Sequence, residues 1–113
     1  MRNFVIGAVS SLLLGVTATS ASSEPDVMSA SYVMKGCRSI IVKQKLDFAQ
    51  GYCIGSVHVL FDLPVICYQK GVTVGHAVRI VIRYIDNNPE RQHENFNGLA
   101  LEALQASWPC KRS

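Results

Sequence analysis

Apolar residues recur at helical spacing most clearly in the stretch that ends before Pro89. Positions three and four residues apart share one side, and they are all apolar: Val74, Ala77, Val78, Val81, Ile82 and Ile85. A helix with this pattern buries one face and leaves the other in water. Thr73 can cap the first turn through its hydroxyl, and Pro89 disfavours helical geometry at Asn88. The pattern predicts an amphipathic helix that starts after Thr73 and ends near Asn87.

The polar side of this helix continues into a polar segment, in which Asn88 can cap a new turn and Pro89 can occupy its first position. A helix that ends in a sharply bent polar segment is suited to recognition. We predict that the following residues contact a partner: Arg79, Arg83, Asp86, Asn87, Asn88, Glu90, Arg91 and His93. Two alternatives stay open. Arg79 and Arg83 can form a solvated stripe with Asp86, and His93 can be an exposed histidine without a role.

Three further patterns predict helices over Pro25 to Lys35, Leu46 to Leu63 and Phe96 to Ser107. The stretch from Gly36 to Lys45 lacks a clear period, and we predict a connection there that can include a helical turn. Gly51 and Gly55 lie four residues apart, a spacing that lets another helix approach closely. Neither strand alternation nor an internal repeat is evident. The predicted fold is therefore all-α, a small bundle of about four helices.

The N-terminus has the three parts of a secretory signal peptide. A basic start precedes an apolar run from Phe4 to Val16, and small polar residues follow. The run is shorter than the roughly 20 apolar residues of a transmembrane helix. We predict cleavage after Ser20 or Ala21, so that residues 1–21 are removed and residues 22–113 form a single exported helical domain without a membrane segment.

Four cysteines in a small exported chain favour two disulfides over metal or redox chemistry. They are Cys37, Cys53, Cys67 and Cys110. Three connectivities are possible, and the order of antiparallel helices favours Cys37 with Cys53 and Cys67 with Cys110. A chain-entropy account gives about 3 kcal/mol for the shorter loop and about 4 kcal/mol for the longer one. A domain of this size needs such reinforcement.

Charge and motif content give little support to catalysis or to nucleic-acid binding. Removal of Arg2 leaves 11 − 1 = 10 basic residues against 8 acidic ones, a net charge of +2, and no run of Lys or Arg is long enough to indicate nucleic acid. His58, His76 and His93 lack the spacing of a zinc site. No serine lies in a GxSxG motif. We predict a non-enzymatic binding protein that uses no cofactor and no metal.

Several short motifs, in order along the chain, resemble the Rap/Tai immunity family. The family patterns are GYCxGY, GVTxGQ, YLxxHPExxH and FPC. The matching segments here are Gly51-Tyr52-Cys53-Ile54-Gly55, Gly71-Val72-Thr73-Val74-Gly75, Tyr84-Ile85 with Asn88-Pro89-Glu90-Arg91-Gln92-His93, and Trp108-Pro109-Cys110. The sequence departs from the patterns at four positions, with Ser56 for an aromatic residue, His76 for glutamine, Asn88 for histidine and Trp108 for phenylalanine.

This resemblance implies a periplasmic helical protein, often a homodimer, that binds a peptidoglycan amidase effector delivered by type VI secretion. It also implies that one helix and the loop after it block the active-site cleft of that cysteine-histidine amidase. Pro89, Glu90 and His93 match the loop motif, whereas Arg79, Arg83 and Asp86 lie outside it. The alternative is a periplasmic acid-stress chaperone that resembles the Hde proteins. Three histidines and few carboxylates offer no obvious acid trigger for it.

Overall fold

The computed structural model describes residues 26–42 and 47–111, and these ranges form four α-helices and one short 3₁₀ turn. The helices are α1 (Ala30–Ile41), α2 (Phe48–Phe61), α3 (Val74–Asp86) and α4 (Phe96–Ser107), and the 3₁₀ turn spans Pro89–Arg91. Within the described ranges the only extended pairing is a single bridge between Ser29 and Asn95. The all-α class with about four helices is confirmed. The predicted signal peptide, residues 1–21, lies outside the described residues.

The first helix is shifted relative to the sequence-based prediction. It begins at Ala30 because Ser29 caps it, with the Ser29 hydroxyl accepting a hydrogen bond from the Tyr32 N–H at 3.3 Å. It then continues through Gly36 as far as Ile41. The prediction that the helix starts near Pro25 and ends at Lys35 was therefore wrong at both ends, and most of the predicted connection is helical.

Gly36 lies where α1 crosses α2, and only glycine permits this crossing. A Cβ at position 36 would overlap the carbonyl group of Ala49 and the backbone nitrogen of Gln50. The predicted close approach at Gly51 and Gly55 was wrong, because a Cβ at either position would meet nothing within 4 Å. The glycine that allows two helices to touch is thus on α1 and not on α2.

The hydrophobic core fills the space between the four helices. As its period predicts, α3 buries Ala77, Val78, Val81 and Ile85. The other helices contribute further side chains that are almost fully buried: Val33, Cys37, Cys53, Val57, Phe96, Leu99 and Leu104. No helix among the described residues is long and apolar enough to cross a bilayer. The core fixes α3 with its polar face turned outward.

Both disulfides have the pairing that the helix order predicts. Cys37–Cys53 is buried between α1 and α2, with 5.4 Å between its Cα atoms. Cys67–Cys110 is exposed, with 5.0 Å between its Cα atoms. Beside it, the Cys67 N–H donates to the Trp108 carbonyl at 3.0 Å. The second disulfide joins the segment before α3 to the segment after α4, and so closes a loop around both helices.

Candidate partner-binding surface

The polar face of α3 is continuous with the segment that connects α3 to α4, residues 87–95, which we call the tip. Thr73 caps α3 as predicted, since its hydroxyl accepts a hydrogen bond from the His76 N–H at 3.1 Å. α3 ends at Asp86, and the 3₁₀ turn follows at Pro89. Six of the predicted partner-binding residues are exposed and form what we call the α3–tip surface: Arg79, Arg83, Asp86, Asn87, Glu90 and His93.

Asn88, another predicted partner-binding residue, is half-buried and closes the end of α3. Its side-chain amide donates to the Tyr84 carbonyl at 2.7 Å. This bond satisfies one of the carbonyl groups that a helix C-terminus leaves free. Asn88 occupies the N-cap position of the 3₁₀ turn and Pro89 its first position, as predicted, but the Asn88 side chain makes no capping bond to that turn.

Arg91, the remaining predicted partner-binding residue, ties the tip to α4. Its guanidinium donates two hydrogen bonds to Glu94, at 2.8 and 2.9 Å, and two to Glu102, at 2.7 and 2.8 Å. The Tyr84 hydroxyl also donates to Glu102, at 2.8 Å. We call these four residues, Tyr84, Arg91, Glu94 and Glu102, the clamp. The clamp joins α3, the tip and α4 through charge-assisted hydrogen bonds, which are stronger than neutral ones.

The clamp shifts the pKa of each of its members. Hydrogen bonds from Arg91 and then from Tyr84 lower the pKa of Glu102 to about 2, and the hydrogen bonds from Arg91 also lower the pKa of Glu94. The hydrogen bond to Glu102 raises the pKa of the Tyr84 hydroxyl, and those to Glu102 and Glu94 raise the pKa of Arg91. Both carboxylates are therefore ionised at neutral pH.

The backbone of the tip is also bonded to the start of α1. The Ala30 N–H donates to the Glu94 carbonyl at 2.8 Å, and the Ser31 N–H donates to the Gln92 carbonyl at 2.9 Å. The first N–H groups of a helix have no partner within the helix, and here the tip supplies two. Glu90 and His93 thus project from a segment that is held on one side by α1 and on the other by α4.

Asp86 pairs with α1 and not with its neighbours on α3. The Arg38 guanidinium donates to both Asp86 carboxylate oxygens, with one of these bonds at 3.0 Å. The hydrogen bond from Arg38 lowers the pKa of Asp86. Both side chains are about half exposed, so this pair contributes at most about 1 kcal/mol. Arg79, Arg83 and Asp86 are all exposed, as the alternative of a solvated stripe predicts, but Asp86 is bonded to Arg38.

Arg79 and Arg83 make no ion pair with any residue in ranges 26–42 and 47–111. Arg83 lines a groove of about 170 Å³ between α3 and α4. Its lining comprises Ile80, Arg83, Tyr84, Asn87, Ala103, Ala106 and Ser107. The periodicity of the sequence indicated the exposed arginines, but it gave no sign of the groove, which requires the packing of two helices.

The surface offers charge and hydrogen bonding to a partner. Within the described ranges, no group of three or more His, Cys, Asp or Glu side chains is placed to hold a metal ion. All four cysteines there form disulfides. The described residues therefore define a class of fold, a small disulfide-linked helical bundle with an ordered, charged surface.

Comparison with known protein families shows which family this helical bundle belongs to. The model of the Rap1a immunity proteins matches residues 29–110, a stretch that holds all four helices, both disulfides and the α3–tip surface. The chain belongs to the Rap1a immunity protein family, as its motifs indicated. It is therefore an immunity protein that acts against a secreted effector and binds that effector. No curated protein and no solved structure matches the chain.

The Glu102 carboxylate of the clamp should make stability depend on pH in the acid range. The pKa of Glu102 is about 2 in the folded protein, below its ordinary value of 4.5. Its stabilising effect is complete above about pH 4.5 and is lost as the pH falls through about 2. We expect Glu102→Gln to lower the melting temperature at pH 7 by roughly 2 to 5 °C, a modest loss because the side chain is 44% exposed.

Thermal unfolding at pH 7, 4.5, 3 and 2 measures this effect. The difference in melting temperature between the wild type and Glu102→Gln should shrink as the pH falls to 2. Glu90→Gln, which removes an exposed carboxylate from the same tip, controls for the lost charge. A difference that stays constant from pH 7 to pH 2 would show that the clamp does not stabilise the folded state through the Glu102 carboxylate.

Proposed function

We propose that the effector is a peptidoglycan amidase delivered by type VI secretion, and that this protein inhibits it in the periplasm by occluding its active-site cleft. The motif around Pro89, Glu90 and His93 supports this proposal through its resemblance to the contact loop of Rap/Tai proteins. The predicted signal peptide and the two disulfides are consistent with an oxidising compartment outside the cytoplasm.

The observation that carries the proposal is the way in which the tip is held. Glu90 and His93 are exposed, while the clamp and the first turn of α1 fix the backbone between them. A segment that is already ordered loses little conformational entropy when it enters a cleft. The tip can therefore bind in the conformation that it has in the free protein.

The test is inhibition by variants that change only exposed tip side chains. The mature chain serves as bait under non-reducing conditions to capture an amidase from periplasm and from type VI secretion supernatants. The double variant Glu90→Ala with His93→Ala should then raise the concentration needed for half-maximal inhibition by at least about tenfold. Its melting temperature should stay within roughly 2 °C of the wild type, because neither side chain makes a hydrogen bond in the described part of the chain.

Lys70→Ala is the control, since Lys70 is exposed in the segment between α2 and the start of α3, whereas the tip follows the end of α3. It should leave inhibition unchanged. Asn88 and Arg91 are unsuitable for this test because their loss would also disturb the end of α3 and the clamp. If the mature chain captures and inhibits no peptidoglycan amidase, the proposal fails.

The family resemblance also suggests self-association, and we propose α2 as the contact between two copies. α2 is apolar on both sides and exposes Phe48, Ile54 and Val59 at 55%, 44% and 64%. A helix with apolar residues on every side is usually buried against other protein elements. Light scattering on the mature chain measures the mass directly, and a monomer at high protein concentration would contradict this part of the proposal.

The alternative function, an acid-stress chaperone, needs a trigger that opens the fold at mildly acidic pH. The clamp carboxylate Glu102 remains ionised until the pH approaches about 2, so it gives no such trigger. Membership of an immunity family also favours the inhibitor.

A further inference from the structure

The one carboxylate on α3 and the two in the clamp are already paired within the protein. Asp86 pairs with Arg38, and both Glu94 and Glu102 pair with Arg91. Glu90 is exposed and forms no ion pair with an arginine in the described ranges. Arg79 and Arg83 thus keep uncompensated positive charge, four residues apart on one face of α3. Like charges at this spacing destabilise a helix slightly, which a partner of opposite charge would offset.

The groove beside Arg83 has the shape and chemistry to receive a single carboxylate side chain. Ile80, Ala103 and Ala106 contribute apolar side chains to its lining, and the two alanines are small enough to leave space for a ligand. Arg83, Asn87 and Ser107 place hydrogen-bonding groups along the same groove. The Tyr84 hydroxyl is already bonded to Glu102, so Tyr84 contributes the body of its ring. An arginine beside an amide and a hydroxyl group is a set of donors suited to a carboxylate.

We propose that Arg79 and this groove bind an extended acidic segment of the effector. One carboxylate enters the groove and bonds to Arg83 and Asn87, while a second pairs with Arg79. Side chains four residues apart on a helix lie about 5 to 6 Å apart at Cβ, and alternate residues of an extended strand lie about 6.6 Å apart. Acidic residues at alternate positions of the segment therefore match the two arginines. This inference rests on the proposed function, because it assigns the chemistry of the partner that meets the α3–tip surface.

The first test uses a peptide probe and does not depend on the effector. The probe is acetyl-Glu-Ser-Glu-amide, and acetyl-Gln-Ser-Gln-amide is its neutral control. In nitrogen-15 correlation spectra of the mature chain, the acidic peptide should shift the Arg83 and Asn87 side-chain signals in a saturable manner at millimolar concentration, whereas the neutral peptide should not. Salt should weaken the effect, because the contacts are exposed charges.

Two variants separate the charge from the shape of the groove. Arg83→Gln removes the cation, and Ala106→Leu fills the groove at an exposed position, so both should reduce the peptide-induced shifts at least fivefold. Lys35→Gln, an exposed lysine on α1, is the charge-matched control and should change nothing. Equal shifts with the acidic and neutral peptides would overturn the inference. Inorganic phosphate that reproduces the peptide shifts at the same concentration would also overturn it, since the site would then select any anion.

The second test uses the amidase captured by the mature chain. The double variant Arg79→Gln with Arg83→Gln should raise the Kd of the complex at least 100-fold and flatten its salt dependence, as expected when interfacial charge pairs are lost. If the amidase binds both proteins with the same Kd, this inference fails and the proposed function stands. If the acidic peptide binds the groove but the wild type binds no amidase, the proposed function fails. The inference that the groove binds acidic side chains is then still supported.

Discussion

Replacing Gly36 with alanine should lower the free energy of unfolding by more than about 4 kcal/mol, enough to unfold a domain of this size. The added Cβ would overlap the backbone of Ala49 and Gln50, and a backbone cannot rotate away as a flexible side chain can. The two helices would have to separate, although the buried disulfide Cys37–Cys53 joins them close to this point. Urea denaturation followed by circular dichroism measures the loss.

The same substitution at Gly55 is the control, and it should act in the opposite direction. Gly55 is an exposed position inside α2, and a Cβ there would meet nothing within 4 Å. Alanine at an exposed helical site stabilises by about 0.5 to 1 kcal/mol relative to glycine. If Gly36→Ala unfolds at the same urea concentration as Gly55→Ala, α1 does not cross α2 at Gly36.

Removing the exposed disulfide should have the second-largest effect on stability. Cys67 and Cys110 are separated by 43 residues, so the bond restricts a long loop in the unfolded chain. The chain-entropy account gives a loss of about 4 kcal/mol for the double variant Cys67→Ala with Cys110→Ala, even though neither side chain is part of the buried core. Urea denaturation of the purified double variant measures this loss.

Exposure also predicts the order in which the two disulfides are reduced. Cys67–Cys110 is open to solvent, whereas Cys37 and Cys53 are fully buried. Limited treatment of the native protein with dithiothreitol, followed by alkylation and mass spectrometry, should yield a species that retains only Cys37–Cys53. Equal labelling of all four cysteines at early times would show instead that reduction follows global unfolding.

The sequence predicted α3 and its surroundings well because the signals are local. The Thr73 cap, the apolar period and the stop before Pro89 all lie within a few residues of the helix that they define. The disulfide pairing followed from the order of the helices. By contrast, the stretch from Gly36 to Lys45 lacks a clear apolar period, which predicted a connection where α1 continues to Ile41. The close contact of Gly36 with α2 could be found only from the packing of both helices.

In the candidate surface, too, local sequence patterns predicted some features, whereas contacts that depend on packing could not be predicted. Helical period was sufficient to predict that Arg79, Arg83 and Asp86 face water. It could not predict that Asp86 pairs with Arg38, because 48 residues separate the two in sequence. Arg91 and Glu94 lie three residues apart, a spacing that favours ion pairs on a helical turn, and this signal could have indicated that Arg91 is bonded within the tip. The link to Glu102 depends on where α4 packs.

The hydrogen bonds between the tip and α1 restrict how this protein can diverge toward new effectors. The Gln92 and Glu94 carbonyls must reach the Ser31 and Ala30 N–H groups, so a residue inserted or deleted between Pro89 and Glu94 would leave the start of α1 without partners. The side chains of Glu90 and His93 take no part in these backbone hydrogen bonds, so they can be substituted without breaking them. Specificity for a different effector is therefore expected to evolve by substitution within a tip of fixed length.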